Sequence, residues 1–244
     1  MIKEITISTP FYNEEEGLEN FFDTILKINN FKSKLSVKIQ YLFINDGSSD
    51  NTLQILENFK LKNSNIDIKI ISHDQNYGYG RTIKTSFENS ETKYLIMYDS
   101  DCTYDFNLIE NLIEVVNKNE NLDMVNVSYK LASKENRSSI FRSSLTIMAS
   151  FIYRLFFKEI KENDVGVYTC SFRIYNLEKF KDIKISSDDF NACAEIMIRA
   201  ILKKLIIKEI AGKNQGRKYG RSKMKILKNV FNSLKTIFVI KFNL

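Results

Sequence analysis

Four times in the first 120 residues, a short apolar run gives way to a polar loop and then to an amphipathic stretch. EITIST (4–9) leads into NEEEGLENFFDTILKI, and KIQYLFIN (38–45) into DGSSDNTLQILENF. IDIKIIS (66–72) leads into a Gly-containing loop and RTIKTSFEN, and KYLIMYD (93–99) into FNLIENLIEVV. Repeated strand–helix alternation with almost continuously apolar strands is the pattern of a parallel sheet covered on both faces. It predicts an α/β fold with a mostly parallel central sheet flanked by helices. Each predicted strand ends in polar residues: Tyr12-Asn13-Glu14, Asn45-Asp46-Gly47-Ser48, His73-Asp74-Gln75-Asn76 and Asp99-Ser100-Asp101. The C-terminal edges of parallel strands lie on one side of the sheet, where ligands of open α/β folds bind. Four distant segments are therefore expected to meet in one pocket.

Local signals add detail. Asn13, followed by three glutamates, reads as the cap of the first helix, and Ser49 with Asp50 as the cap of the second. Pro10, the single proline, is expected to close the first strand. The second half is less regular. DMVNVSY (123–129) reads as a strand, and 137–158 as a long amphipathic helix carrying Arg142 and Arg154. VYTCSFRIYN, the helix-like AEIMIRAILKKL, IIKEI and a Gly/Lys/Arg loop follow. In the tail KMKILKNVFNSLKTIFVIKF, residues Leu227, Val230, Phe231, Leu234 and Phe238 share a helical stripe beside lysines.

Composition removes several function classes. With 244 residues, 43% hydrophobic and 27% charged, the chain is globular. The single histidine, His73, excludes most histidine-based catalysis and is expected only to end the third strand. Cys102, Cys170 and Cys193 have no metal-binding spacing and read as reduced thiols of a cytosolic protein. No secretory signal and no run near the ~20 apolar residues of a membrane span is visible, so the protein is expected to be soluble or to lie on a membrane surface. The net charge of +6, crowded toward the C-terminus, asks for an acidic partner. Phosphates or a membrane fit; no nucleic-acid module is recognisable, and no nucleic-acid partner is expected.

The pair Asp99 and Asp101 can act on one divalent cation, and hard carboxylate oxygens favour Mg²⁺ or Mn²⁺. Alone, a D-x-D pair is equally well a solvated helix cap. Glu14 and Asp46 on the same edge alter the balance, because clustered carboxylates are costly without a cation or a donor-rich ligand. Asp46 is expected to hydrogen-bond a ribose or base. A nucleotide diphosphate with its metal meets all these needs. Gly78 and Gly80 do not form a dinucleotide fingerprint and are expected to let the chain pass close to the nucleotide.

At this point the residues become recognisable. STPFYNEEEGL, FINDGSSDNT (Asn45 in place of an Asp), NYGYGRTIKTSF and DSDCTYDFNLIENL resemble, in order, four motifs of the family 2 glycosyltransferases. The second half resembles the polyprenyl-phosphate branch of that family, through YTCSFRIY, Glu195 and the Arg217, Gly220, Ser222, Lys223 pattern of KEIAGKNQGRKYGRSK. It departs from the branch where Ser171 replaces Gly and Ala211 replaces Pro. An upstream acid is displaced toward Asp164, and a basic residue falls at Tyr129 or Lys130.

The resemblance implies a GT-A nucleotide-diphospho-sugar transferase fold and a GDP- or UDP-linked sugar as donor. Pro10, Tyr12, Asn13, Glu14, Asp46, Ser48, Asn76, Asp99 and Ser100 would hold the nucleotide. Asp99 and Asp101, with Thr103 where a Gln often assists, would hold Mg²⁺ or Mn²⁺. The acceptor would be a polyprenyl phosphate lipid gripped by Arg142, Arg217 and Lys223, with inversion at the sugar. Residues 1–224 would form one catalytic domain (nucleotide-sugar half 1–120, acceptor half 121–224) and 225–244 a basic amphipathic helix. Segments 140–158 and 225–241 would lie on the cytoplasmic membrane face. Two alternatives stand beside this reading. One is a family 2 enzyme acting on a sugar hydroxyl in surface-polysaccharide assembly, with Asp188 or Asp189 as base. The other is a binding protein without turnover.

Overall fold

A computed structural model gives the fold and describes residues 1–128, 152–161, 165–217 and 226–242, without the side chains of 31–35 and 226–231. Seven strands form one sheet: β1 (Glu4–Phe11), β2 (Lys38–Asn45), β3 (Ile68–Ser72), β4 (Tyr94–Met97), β5 (Met124–Ser128), β6 (Arg173–Asn176) and β7 (Ile207–Ala211). Their order is β3-β2-β1-β4-β6-β5-β7. The first four pair in parallel, as do β5 and β7, while β6 runs antiparallel to both of its neighbours. The four predicted βα units are present: α1 (Leu18–Leu35), α2 (Thr52–Lys62), α3 (Tyr79–Asn89) and α4 (Leu108–Lys118) follow β1 to β4. In the second half the described residues include the single-turn helices α5 (Lys158–Lys161) and α6 (Leu177–Phe180), helical residues at 152–156, and then α7 (Ala192–Leu202) and α8 (Ile226–Phe242).

Alternation along each strand sends successive side chains to opposite faces. Ile5, Ile7, Tyr41, Phe43, Ile96, Val125 and Ile174 join the core under α1, α2 and α4. Leu95, Met97, Met124 and Tyr175 join a second core with Ile83 of α3, most of α7, and Ile237 and Ile240 of α8. Strand β6 is fixed by Arg173, which is fully buried. Its guanidinium donates to Asn126 Oδ1 and to the carbonyls of Cys193 and Tyr168, at 2.6–2.8 Å. Asn126 in turn donates to Glu209 Oε1 at 2.7 Å, linking the two charged groups.

Several local expectations change. Asn13 caps no helix. It has φ 51°, and a 3₁₀ turn, Glu15–Gly17, precedes α1. Its side-chain oxygen instead accepts the Ser49 N–H at 2.8 Å, lacing the loop after β1 to the loop after β2. Asp50 does serve the start of α2, accepting the Thr52 N–H at 3.0 Å. Pro10 does not end β1, which continues to Phe11. It is tolerated because pairing with β4 stops at Ser8, so its missing N–H forfeits no ladder bond. VYTCSFRIYN, which the sequence pattern assigns to no element type, supplies β6 through Arg173–Asn176. Arg142, Asp164, Gly220, Ser222, Lys223 and the Tyr129/Lys130 alternative lie outside the described residues.

Candidate functional site

The polar strand ends converge as expected. A cavity of about 1340 Å³ opens at the C-terminal edge of the sheet, lined by Pro10, Tyr12 and Glu14 after β1, Asp46 after β2, Asn76 after β3, and Asp99, Ser100, Asp101 and Thr103 after β4. Arg217 also lines it. Asn13 and Ser48 do not. They meet behind it, where the Asn13 N–H donates to the Ser48 hydroxyl at 3.0 Å. Among the described lining residues the acids are Glu14, Asp46, Asp99, Asp101, Asp188 and Asp189, against the bases Arg217 and Lys235. Such an excess suits a ligand that brings a cation or many donors.

The geometry divides the carboxylates by task. Asp46 lines the cavity, and within the protein its carboxylate accepts four hydrogen bonds. Its Oδ1 receives His73 Nδ1 at 2.7 Å and the Tyr77 N–H at 3.0 Å, and its Oδ2 receives Asn76 Nδ2 and the Gly78 N–H, both at 2.8 Å. It is the internal post around which the loop after β3 is wound, and His73 braces that post against Thr85 at 2.8 Å. The glycines allow a close approach of the loop carrying Ser187 and Asp188. A Cβ at Gly78 would stand 2.4 Å from the Asp188 carbonyl oxygen, and one at Gly80 would stand 2.2 Å from that of Ser187.

Asp99 is held by two hydroxyls. Tyr79 donates to Oδ1 at 2.8 Å, and Ser171 donates to Oδ2. Burial pushes the Asp99 carboxyl up to about 6, with the Asp101 charge adding to the effect and the hydroxyls of Ser171 and Tyr79 opposing it. Asp101 faces a different partner. Arg217 Nε donates to Asp101 Oδ2 at 3.1 Å, and its NH2 group donates to Glu14 Oε1 at 3.1 Å. Arg217 reaches this point because the chain after β7 bonds to the loop after β4. Tyr104 and Asn214 form a bridge, and the Gln215 N–H donates to the Thr103 carbonyl at 2.8 Å. Cys102, within that loop, is held at φ 49°, a strained backbone of the kind that collects at functional sites.

Two carboxylates from separate strand ends thus close on one positive charge. Their hard carboxylate oxygens and part-buried setting are of a kind that suits a divalent ion, although no cluster of three or more such ligands forms among the described residues.

The opposite wall is built by the second half. Glu195, fully buried, accepts the N–H groups of Ser186 and Ser187 at 2.8–3.0 Å and so fixes the loop carrying Asp188 and Asp189. Asp188 pairs with Lys84 at 2.7 Å. Helix α8 then clasps this loop: Asn232 donates to Asp189, Ser233 donates to Asn191 Oδ1 at 2.7 Å, and the Thr236 and Ser187 hydroxyls lie 3.0 Å apart. Asn232, Lys235, Thr236 and Val239 of α8 line the cavity.

The sequence profile described as Glycosyl transferase family 2 matches residues 6–184. The chain belongs to that family. Among its relatives within family 2, it is 27% identical over 191 residues to a Dolichyl-phosphate beta-glucosyltransferase of Dictyostelium discoideum, covering 73% of this chain and 56% of that one. It is 26% identical over 227 residues to the Undecaprenyl-phosphate 4-deoxy-4-formamido-L-arabinose transferase of Proteus mirabilis, covering 93% of this chain and 64% of the relative. The chain therefore spans less than two thirds of either relative. Its fold is that of the GT-A glycosyltransferases. It superposes on glucosyl-3-phosphoglycerate synthase from Mycobacterium tuberculosis, solved with Mn²⁺, UDP and glucosyl-3-phosphoglycerate. The TM-score is 0.68 at 15% identity, over 97% of this chain and 78% of the other.

Family 2 motifs alone did not point to Tyr79, Ser171, Phe190 or the α8 residues. Tyr79 stacks on Phe190 at 4.8 Å between centroids while its hydroxyl holds Asp99. Ser171 had a signal, since it stands where the similar segment has Gly, and that change supplies the hydroxyl on Asp99.

Proposed function

We propose that this family 2 chain is an inverting glycosyltransferase that moves a sugar from a GDP- or UDP-linked donor to a polyprenyl phosphate at a membrane surface. The observation that carries the reading is the two-faced helix α8. One face lines the acidic cavity through Asn232, Lys235, Thr236 and Val239, while Leu234, Phe238 and Phe242 stand exposed beside it. Leu155 and Phe156 are exposed as well, with Lys241 lying 5.8 Å from the Phe156 ring centroid. An apolar stripe flanked by lysines is the pattern of a helix that rests in a lipid interface. No helix among the described residues is long and apolar enough to cross a membrane.

The chemistry follows from the acceptor. A phosphate monoester has its second pKa near 6 and is largely a dianion at pH 7, so it attacks without a general base. One phosphate oxygen forms a bond to the anomeric carbon as the bond from that carbon to the donor diphosphate breaks. The configuration inverts, and no proton changes hands. Mg²⁺ or Mn²⁺, when bound, would supply positive charge for the departing diphosphate. Asp101 and Glu14 would hold it, Asp99 would be oriented beside it by Tyr79 and Ser171, and Lys235 would hold the acceptor phosphate at the cavity rim. The wall of α8 and loop 186–190 would limit water access to the reacting carbon.

The test is transfer of label from a panel of nucleotide sugars to undecaprenyl or dolichyl phosphate in the presence of Mn²⁺. Label in the lipid fraction is expected, and its absence across the panel overturns the reading. A second reading, transfer to a glycan hydroxyl, is favoured by the presence of Asp188 and Asp189 in the cavity lining. It requires one of them to act as a general base. Asp189, however, already accepts from Asn191 and Asn232, and Asp188 is paired with Lys84. Labelled oligosaccharide with unlabelled lipid phosphate would favour that second reading.

A further inference from the structure

We propose that Arg217 is an internal counter-cation. In the ligand-free protein it occupies the position between Asp101 and Glu14 that a divalent cation takes together with the donor, and it is handed to the donor's phosphates when that cation arrives. The inference rests on the metal–donor reading above and adds an order of events to it.

Arg217 is 116 residues from Asp101 and 203 from Glu14, so their meeting is made by the fold and not by local sequence. Among the described residues, the guanidinium does not grip one carboxylate with two parallel bonds, its strongest mode. It splits its fork, Nε to Asp101 and NH2 to Glu14, each at 3.1 Å. Carboxylates from two strand ends thus share a single positive centre, and their hard oxygens are of the kind a divalent ion accepts. The side chains are 20%, 19% and 11% exposed for Arg217, Asp101 and Glu14, so solvent screens them little. Burial works to lower the basicity of Arg217, and the charges of Asp101 and Glu14 more than reverse it. Removing this cation would leave Glu14, Asp99 and Asp101 close together with Lys235 as the other base among the described lining residues. The protein therefore has an electrostatic reason to keep the fork closed when no ligand is present.

Two consequences follow. A divalent ion alone must displace a paired guanidinium, so its apparent affinity is reduced by the fraction of molecules in which the fork is open. An ion that arrives with a nucleotide diphosphate brings a new partner for the displaced guanidinium, whose planar donors match phosphate oxygens. Metal and nucleotide binding are then positively coupled, each strengthening the other by the same factor.

The experiment titrates Mn²⁺ into the full chain, reading free Mn²⁺ by electron paramagnetic resonance, alone and with saturating GDP or UDP. The parent is compared with Arg217→Gln and Arg217→Lys. Arg217→Gln is expected to bind Mn²⁺ alone about tenfold tighter than the parent, and to bind Mn²⁺ with nucleotide more weakly than the parent. Arg217→Lys, which keeps a charge, is expected to stay near the parent for Mn²⁺ alone. These opposite signs separate a counter-cation from a merely structural arginine, whose loss weakens both. Mn²⁺ binding in R217Q that is unchanged or weaker without nucleotide overturns the inference while leaving the donor reading in place, provided the parent binds Mn²⁺ with GDP or UDP. Should the parent bind no Mn²⁺ with either nucleotide, the donor reading fails and this inference falls with it. Arg217→Met, which retains the apolar stem, replaces R217Q if circular dichroism shows that the latter does not fold.

Discussion

The Tyr79 hydroxyl donates to Asp99 Oδ1 at 2.8 Å, from the first residue of α3 to the second residue beyond the four-residue strand β4. With Ser171 on the other oxygen, it holds a buried carboxyl in one orientation. Bonds to a charged group contribute about 1.5–3 kcal/mol each. Tyr79→Phe keeps the ring stacked on Phe190 and deletes only the donor, so it is expected to lower the unfolding free energy by about that amount. Chemical denaturation measures it. A variant as stable as the parent would show that the hydroxyl does not hold Asp99.

Asp101 carries a different prediction because its partner is a cation. Asp101→Asn removes one of the two carboxylates that close on Arg217. Metal-dependent binding of GDP or UDP is expected to weaken by about tenfold or more, equivalent to about 1.4 kcal/mol. Isothermal titration with and without Mn²⁺ checks it. Nucleotide affinity equal to the parent's in Mn²⁺ would remove Asp101 from the cation site.

The parts of the fold that could be read from the chain are those in which one segment is enough. The four βα units showed because strands buried on both faces must be apolar throughout, and because polar strand ends of a parallel sheet share an edge. Roles that depend on distant partners did not show. Asp46 at a strand end gives no sign that its carboxylate accepts the N–H groups of Tyr77 and Gly78. Gly78 and Gly80 give no sign of the close approach of the backbone of Ser187 and Asp188. The antiparallel β6 was hidden because its anchor, Arg173, is a buried charge whose partners come from three other segments. Arg217 was legible as a pocket residue through its motif spacing, but its pairing with Glu14 and Asp101 was not.

Buried phenols give a pH prediction. Burial raises the pKa of Tyr175 and Tyr153 to about 12 and lifts those of Tyr41, Tyr98 and Tyr104 as well, while Cys193 is pushed up to about 12 for the same reason. In the unfolded chain these groups ionise near pH 10 and pH 9 respectively. A raised folded-state value means stability that is fully present below the unfolded value and is lost as pH rises toward the folded one. The protein is therefore expected to lose stability progressively from about pH 9 to pH 12. Phenolate absorbance should rise together with the loss of near-ultraviolet circular dichroism. Phenolate formation complete at pH 10 in a still-folded protein would contradict the burial of these side chains.

Lys235 separates the acceptor readings. It lines the cavity one position from the exposed Leu234, where a lipid phosphate would sit with its chain leaving along α8. Lys235→Ala is expected to raise the KM for lipid phosphate by about tenfold or more, since charge-assisted bonds contribute roughly 1.5–3 kcal/mol, and to leave the KM for the nucleotide sugar unchanged. An equal change in both would assign Lys235 to the donor, and no change in either would remove it from the acceptor site.

The stripe on α8 makes the last prediction, and it can be tested without turnover. Leu234, Phe238 and Phe242 are 48%, 63% and 67% exposed, at a four-residue spacing that places them on one side of the helix. Phe238 and Phe242 also touch, with ring centroids 4.4 Å apart and planes tilted by 39°, so these two form one apolar patch. Full burial of a Leu or Phe side chain contributes about 1.5–3 kcal/mol. Leu234→Ser with Phe238→Ser is therefore expected to cut partitioning onto vesicles of anionic phospholipid by about tenfold or more. Neither side chain belongs to the buried core of α8, which is made by Ile237 and Ile240, so the thermal midpoint should hold. Vesicle flotation of parent and variant decides the point. Equal flotation would mean that the stripe does not face lipid, and a fall in mass on light scattering, from dimer to monomer, would show that it is covered by a second copy of the chain.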